Sequence, residues 1–452
     1  MSDTPVRTGL PRQRMLAVLA VTLATATVSF DGGIANVALP TIARELGVPG
    51  SSAVAIISTY QIVLVVTLLP LAALAERIGH RRMLRIGIVL FIAGGLFCTF
   101  ARTLPVLIAL RACQSLGSAA VMCVGAALIR SLYPPEWLGR GLALNTLIAT
   151  ASLSLAPTVG GLMLAVQPWY WLFAIGVPTT LAALLLSGIV PESARRDTPF
   201  DVRGALYCMA SFGLVFAAIE SAVHGAAPLL TALLIGLGVP VTVRFVQREL
   251  RASVPILPLD LLERPMIALT VGGAMLTFIA STSLLVTLPF RLHEQFGFST
   301  AATGAILAAW SLTMMFCAPS AGILSDRIPA PVLGAFGMIV ATVGALLLAL
   351  LPEDANGFDI SWRIAVCAAG YAFYVSPAFR MVVNAAPPAR VASAGSLMTT
   401  ARMSGQTLGA TASATMLALG IGQGAAPAAI AALLFFIAGV LGIIRFSPGT
   451  RD

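Results

Sequence analysis

The chain has 452 residues, 58% of them hydrophobic and only 10% charged, where a soluble domain carries about 25% charged residues. Its net charge of +9 rests on arginine alone, and the arginines lie in short segments between long apolar runs. This excludes a soluble enzyme and argues against a nucleic-acid surface; it implies a polytopic helical membrane protein.

Fourteen spans are expected, at 15–39, 51–74, 84–101, 104–131, 140–166, 169–190, 202–222, 227–246, 266–290, 301–324, 331–351, 362–384, 391–418 and 425–446. The first is as long as a full span, beyond the roughly 7–15 residues of a signal-peptide core, so it is expected to be retained. With the N-terminus inside, nineteen arginines fall in cytoplasmic segments, and only Arg44, Arg102, Arg291 and Arg363 fall in outer ones. That asymmetry sets the topology, with 1–14 and 447–452 cytoplasmic. The six cysteines lie within apolar runs without paired spacing and read as small core residues. No cluster has metal-ligand spacing, and there is no HExxH, nucleophile elbow or phosphate loop.

The chain repeats itself. Glu76-Arg77 after the second span is matched by Asp326-Arg327 after the tenth, and Arg140 by Arg390, both at an offset of 250. Val37-Ala38-Leu39-Pro40 is echoed by Val286-Thr287-Leu288-Pro289. The pattern predicts two six-helix units, 15–190 and 265–446, with a two-helix hairpin at 201–246 between them. Parallel repeats with a site at their interface are a transporter architecture.

The residues that could carry chemistry follow in chain order. Asp31 is a carboxylate deep in the first span, on a stripe with Ala20, Ala24, Thr27, Ala35 and Ala38. An ionised Asp at the bilayer centre costs roughly 2.5–3.5 kcal/mol on insertion scales, so its presence points to proton or cation coupling, or to a structural ion pair. Glu76, Arg77, Gly79, Arg81 and Arg82 join the second and third spans and could latch one conformation. They also serve topology. Arg111 lies at a depth similar to Asp31, on a face with Gln114, Ser118, Met122 and Gly125, and would pair with the carboxylate or tune it. Pro157, Gly160 and Gly161 mark a hinge, a seal or a passive kink in the fifth span. Glu220 and His224 could bind a proton, or simply reach water at the membrane boundary. Arg402 and Gln406 share a polar stripe with Gly395, Thr399, Gly409 and Ser413, which reads as a substrate wall or as helix packing.

Together these residues resemble the major facilitator superfamily and, more narrowly, its fourteen-span drug:proton antiporter family, over nearly the whole chain. The family's first-span pattern matches Asp31 and Asn36 to Pro40. Its loop signature matches Leu74, Arg77, Gly79, Arg81 and Arg82, with Ala72 and Glu76 in place of Gly and Asp. The second copy keeps Gly322, Leu324, Asp326 and Arg327 but has Pro329 and no basic run. Arg111, Gln114 and Gly117 fit the fourth-span pattern, with Ser115 replacing a Gly. Pro157, Gly160 and Gly161 fit the antiporter motif, with Ala156 replacing its first Gly, and Arg402, Gly405 and Gly409 fit the thirteenth-span pattern. The resemblance implies an all-α fold of two six-helix bundles around a cavity, working by alternating access in a bacterial cytoplasmic membrane.

The activity it implies is export of amphipathic or cationic small molecules against proton influx. Asp31, Arg111 and Glu220 would handle coupling, and Asn36, Gln114, Arg402 and Gln406 would line the cavity. The proton gradient would supply the energy with no cofactor. The partners would be small-molecule substrates, protons and lipid, with no nucleic acid, and a monomer would suffice. Two other readings stay open: a dedicated transporter of one metabolite, siderophore or lipid, and a non-transporting sensor or assembly partner.

Overall fold

Lipid offers the backbone no hydrogen-bond partners, so an apolar chain of this kind must satisfy its amides within helices. The computed structural model describes residues 12–134, 138–192, 201–223, 228–251, 257–325, 327–386 and 391–444. They are helical almost throughout: α1 (Arg12–Leu46), α2 (Gly50–Ile78), α3 (His80–Cys98), α4 (Leu104–Leu132), α5 (Leu138–Leu164), α6 (Val177–Leu186) and α7 (Val202–Val223). There follow α8 (Pro228–Glu249), α9 (Pro265–Glu294), α10 (Thr300–Leu324), α11 (Ala330–Ala349), α12 (Gly357–Ala385), α13 (Val391–Ala418) and α14 (Ala426–Ile444).

Eleven segments among the described residues are long and apolar enough to cross a bilayer: α1, α2, α4, Trp169–Ile189, and segments within α7 to α12 and α14. α3 opens on His80, Arg81, Arg82 and Arg85, and α13 is rich in Ser, Thr and Gly around Arg402, which keeps both outside that count. The sixth expected span departs from a continuous helix. It begins as a 3-10 turn at Trp169–Phe173 and restarts as α6, with Pro178 in its first turn. Pro168 and Pro178 each lack an amide hydrogen, which favours helix starts at these points over one unbroken helix.

The internal repeat is visible as packing. Gly87 and Gly94 of α3 press against Gly117 and Gln114 of α4; Gly337 and Gly344 of α11 press against Gly370 and Cys367 of α12. The α3 and α11 positions are 250 residues apart, and the α4 and α12 positions 253. α7 and α8 lie side by side, with Ser211 hydroxyl 2.9 Å from that of Thr242 and Ser221 2.8 Å from Thr231. Phe216 of α7 is buried in one cluster with Tyr60 and Leu64 of α2 and Met403 of α13.

The first and second halves meet closely at the end where α1 and α9 finish. A Cβ on Gly161 of α5 would stand 2.6 Å from the Cα of Gly304 of α10, and one on Gly50 would stand 2.8 Å from the Phe290 ring. Arg44 Nη1 is 3.0 Å from His293 Nε2 across the same junction. Leu39, Ile42, Val54 and Ile57 share a buried cluster there with Val286, Phe290, Ala410 and Ala414. Two of the fifth-span glycines lie at this contact: Gly161 meets α10 while Gly160 faces Ile34 of α1. α5 stays helical through Pro157.

Gly161→Val should therefore force the halves apart at this end. With the native cysteines replaced, a thiol introduced by Ser58→Cys, at a position 1% exposed, should become reactive to a membrane-impermeant maleimide. Unchanged labelling in a normally expressed protein would mean the contact is not the seal.

Candidate functional site

Small side chains on α1 let its neighbours approach. Ala20, Ala24, Ala35 and Ala38 are almost wholly buried, and Thr27 is within reach of α6, its hydroxyl 2.9 Å from that of Thr179. Among them Asp31 turns toward α4. Arg111 Nη1 donates to Asp31 Oδ2 at 2.8 Å and to Gln114 Oε1 at 2.7 Å. Gln114 Nε2 donates to Asp31 Oδ1 at 3.2 Å, so both carboxylate oxygens are engaged. Asp31 is 3% exposed, Arg111 1% and Gln114 not at all, which leaves little water to screen the charges.

The sequence places Arg111 at the depth of Asp31, with Gln114 on the same face of its helix; it gives no sign of the aromatic walls. The Arg111 guanidinium lies 4.2 Å from the Tyr60 ring centroid and 4.9 Å from that of Phe173. A cation between π faces gains electrostatic attraction that strengthens with desolvation. Tyr60 hydroxyl donates to Ser118 Oγ at 2.7 Å, and Ser115 Oγ donates to Tyr60 O at 2.5 Å, which ties α2 to α4. Ser115 is the residue that stands where the family pattern has Gly, and its hydroxyl carries this link. An aromatic inside an apolar run gives no sequence signal of such a role.

The remaining candidates are distributed over other contacts. Asn36 is half-buried, and its buried Oδ1 has no protein hydrogen-bond partner. Glu220 Oε1 accepts from Thr411 Oγ1 at 2.8 Å, a link from α7 to α13 that is separate from the Asp31 network. His224 and Asp326 lie outside the described residues. Arg402 and Gln406 are half-buried on α13, Arg402 beside Tyr371 of α12.

Between α2 and α3 the chain turns at Gly79, whose φ of 98° suits a residue without a Cβ. Glu76, Arg77 and Arg82 are exposed there. Arg81 Nη2 donates to Gly188 O at 2.7 Å, and Arg85 Nε to Ser187 Oγ at 2.9 Å. The basic run therefore caps the carbonyl end of the α6 segment, where a cation is favourable. Arg327 is exposed after α10.

The residues 21–410 match the family model described as Major Facilitator Superfamily. The chain belongs to that superfamily. It is 37% identical over 413 residues to the uncharacterized transporter YebQ of Escherichia coli strain K12, covering 90% of each protein. It is 28% identical over 402 residues to the multidrug resistance protein Stp of Mycobacterium tuberculosis, covering 88% of this chain and 75% of Stp. Its fold matches the crystal structure of a POT family transporter in complex with 5-aminolevulinic acid, at 16% identity and a TM-score of 0.73, covering 99% of this chain and 98% of that one. This facilitator is a multi-pass membrane transporter and not an enzyme.

In this facilitator the buried pair should behave as one unit. Asp31→Asn leaves the Arg111 charge uncompensated and should cost about 3–5 kcal/mol. The double variant Asp31→Asn/Arg111→Gln removes both charges and should regain most of that loss. Thermal unfolding of the purified proteins in detergent measures both; equal losses in the single and double variants would show that the charges are not coupled.

Proposed function

We propose that this chain is a proton-coupled secondary exporter of lipophilic, amphipathic small molecules, cations among them, that works by alternating access. In this reading all fourteen helices cross a bacterial cytoplasmic membrane with both termini inside. α7 and α8 form a hairpin inserted between six-helix units at 15–190 and 265–446. Several similarities support the substrate class, Stp among them. The observation that carries the coupling is the Asp31–Arg111–Gln114 network, a carboxylate held in the middle of α1 with both oxygens engaged.

A proton on Asp31 cancels the negative half of the pair and frees Arg111 and Gln114 to rearrange. It can drive alternation because it changes the free energy of the two conformers unequally. Arg111 stays charged throughout, since a guanidinium does not deprotonate in a protein. Glu220 is a second acidic group, bound to α13, the helix that crosses α2 at the junction of the halves. Asn36, Gln114, Arg402 and Gln406 contribute polarity to the substrate path. The turn at Glu76, Arg77, Gly79, Arg81 and Arg82, with Asp326 and Arg327 in the second half, stabilises one facing. Pro157, Gly160 and Gly161 close the outer end. No cofactor enters this scheme.

Everted vesicles with an imposed acid-inside gradient test it. Wild type should accumulate a fluorescent amphiphile until the gradient is collapsed with nigericin. Asp31→Asn/Arg111→Gln, which keeps the site neutral, should reduce uptake to the collapsed level, and Asp31→Glu should retain part. Full gradient-driven uptake by the neutral double variant would show that Asp31 does not carry the coupling.

A further inference from the structure

The two halves compensate their mid-membrane cations differently. Arg111 has a carboxylate, an amide and two aromatic faces around it. Arg402 has none of these: among the described residues it makes no ion pair and no hydrogen bond. It lies eleven positions along α13 from Val391, about 16 Å from that end at 1.5 Å per residue.

Arg402 also does not look toward lipid. Gly405, one turn on, is pressed onto α9, where a Cβ would stand 2.8 Å from Met275 O, and Gly409 is pressed onto Ile279. The same turn of α13 meets Phe278 of α9, whose Cβ is 2.8 Å from where a Cβ on Gly405 would stand, and the guanidinium is on the side of Tyr371 of α12. The Tyr371 ring is 5.4 Å from Trp310 of α10 and 6.2 Å from Phe278 of α9. Four helices thus bring a cation, the Tyr371 hydroxyl and a wall of aromatic rings together in the middle of the second half. Arg402 is half-buried, so open space still reaches it.

The repeat places no carboxylate nearby. Ser281 stands 250 residues after Asp31, and Ile364 and Cys367 stand 253 after Arg111 and Gln114. Asp31 in turn has both oxygens occupied by partners of its own half. Arg402 therefore stands without a charge partner among the described residues, and Asp31 has no free oxygen to give it. An intramembrane cation that faces open space marks a candidate ligand site, and an anionic ligand would supply the missing counter-charge.

We infer that Arg402, with Tyr371 and the flanking rings of Trp310 and Phe278, forms an anion-recognising subsite, and that the preferred substrates are aromatic amphiphiles carrying a carboxylate or a comparable oxyanion. This rests on the transporter reading and narrows it, away from the lipophilic cations that the resemblance implies. The planar guanidinium offers paired donors to the oxyanion, the half-buried Tyr371 hydroxyl a further one, and the aromatic cluster of Tyr371, Trp310 and Phe278 an apolar flank for a ring.

Binding to the purified full chain in detergent, with no gradient present, tests the inference apart from coupling. The probes are naphthylacetate, its neutral amide and naphthylethylammonium, measured by calorimetry. Wild type should bind the carboxylate about tenfold more tightly than either of the others, the contribution of one charge-assisted hydrogen-bonded contact. Arg402→Gln should remove that preference while leaving amide binding within about twofold, and Arg402→Lys should restore part of it. Equal binding of the three probes, no binding of any, tighter binding of the ammonium, or a carboxylate preference untouched by Arg402→Gln overturns the inference. A lost gradient dependence in vesicles beside an intact carboxylate preference refutes the coupling reading alone.

Discussion

The burial of Arg111 is the constraint on which the first half depends. A guanidinium 1% exposed in an apolar bundle is tolerated only when its charge is met and its donors are engaged. Asp31 supplies the charge from α1, Gln114 an acceptor from the next turn of α4, and Tyr60 and Phe173 supply ring faces from α2 and the 3-10 turn. Each requirement recruits a different element. The small residues of α1 let it approach closely, and Ser115 and Ser118 fix α2 by bonding Tyr60 at its carbonyl and its hydroxyl. The broken sixth segment also follows, since its 3-10 turn presents Phe173, and its carbonyl lies 3.5 Å from Gln114 Nε2. Packing and chemistry are one construction here: the same contacts hold the helices and hold the carboxylate.

The junction between the halves obeys a different rule. At its closed end glycine faces glycine, Gly161 against Gly304, and alanines and branched aliphatics fill the space around them. Yet buried side-chain atoms without a protein partner recur on the helices that meet there: Asn36 on α1, Ser58 and Gln61 on α2, Thr158 on α5, Thr303 and Ser311 on α10, and Thr400 on α13. In the proposed alternating-access cycle, an opening junction would offer these atoms water as a hydrogen-bond partner, and closing would withdraw it.

What was legible in the sequence follows from which forces leave a pattern in one dimension. Apolar run length and arginine placement reveal helices, because a bilayer imposes both on every span. The Asp31–Arg111 meeting was legible as a match of depth, and the close approach at Gly161 as a run of small residues beside Pro157. Tyr60 and Phe173 were not, because an aromatic in an apolar stretch looks the same facing lipid or facing a cation. Thr411, the partner of Glu220, and Gly188, the carbonyl capped by Arg81, were invisible because those contacts join segments 191 and 107 residues apart. The sixth span read as one apolar stretch because hydropathy does not register a helix that stops and restarts inside it.

The repeat separates what the fold needs from what the site needs. Helix contacts recur in both halves: Gly87 and Gly117 in the first have counterparts in Gly337 and Gly370, since two helices at van der Waals distance require a missing side chain wherever they cross. Charge does not recur. Asp31, Arg111 and Gln114 are answered by Ser281, Ile364 and Cys367, and Arg402 stands in a half that holds no carboxylate at the corresponding places. If the first-half ion pair existed only to hold helices, the second half would need its own version, because it packs its α11–α12 pair by the same glycine contacts. It manages with serine, isoleucine and cysteine. The helix contacts alone therefore do not account for the ion pair, and its presence in one half alone is what the proposed coupling role draws on.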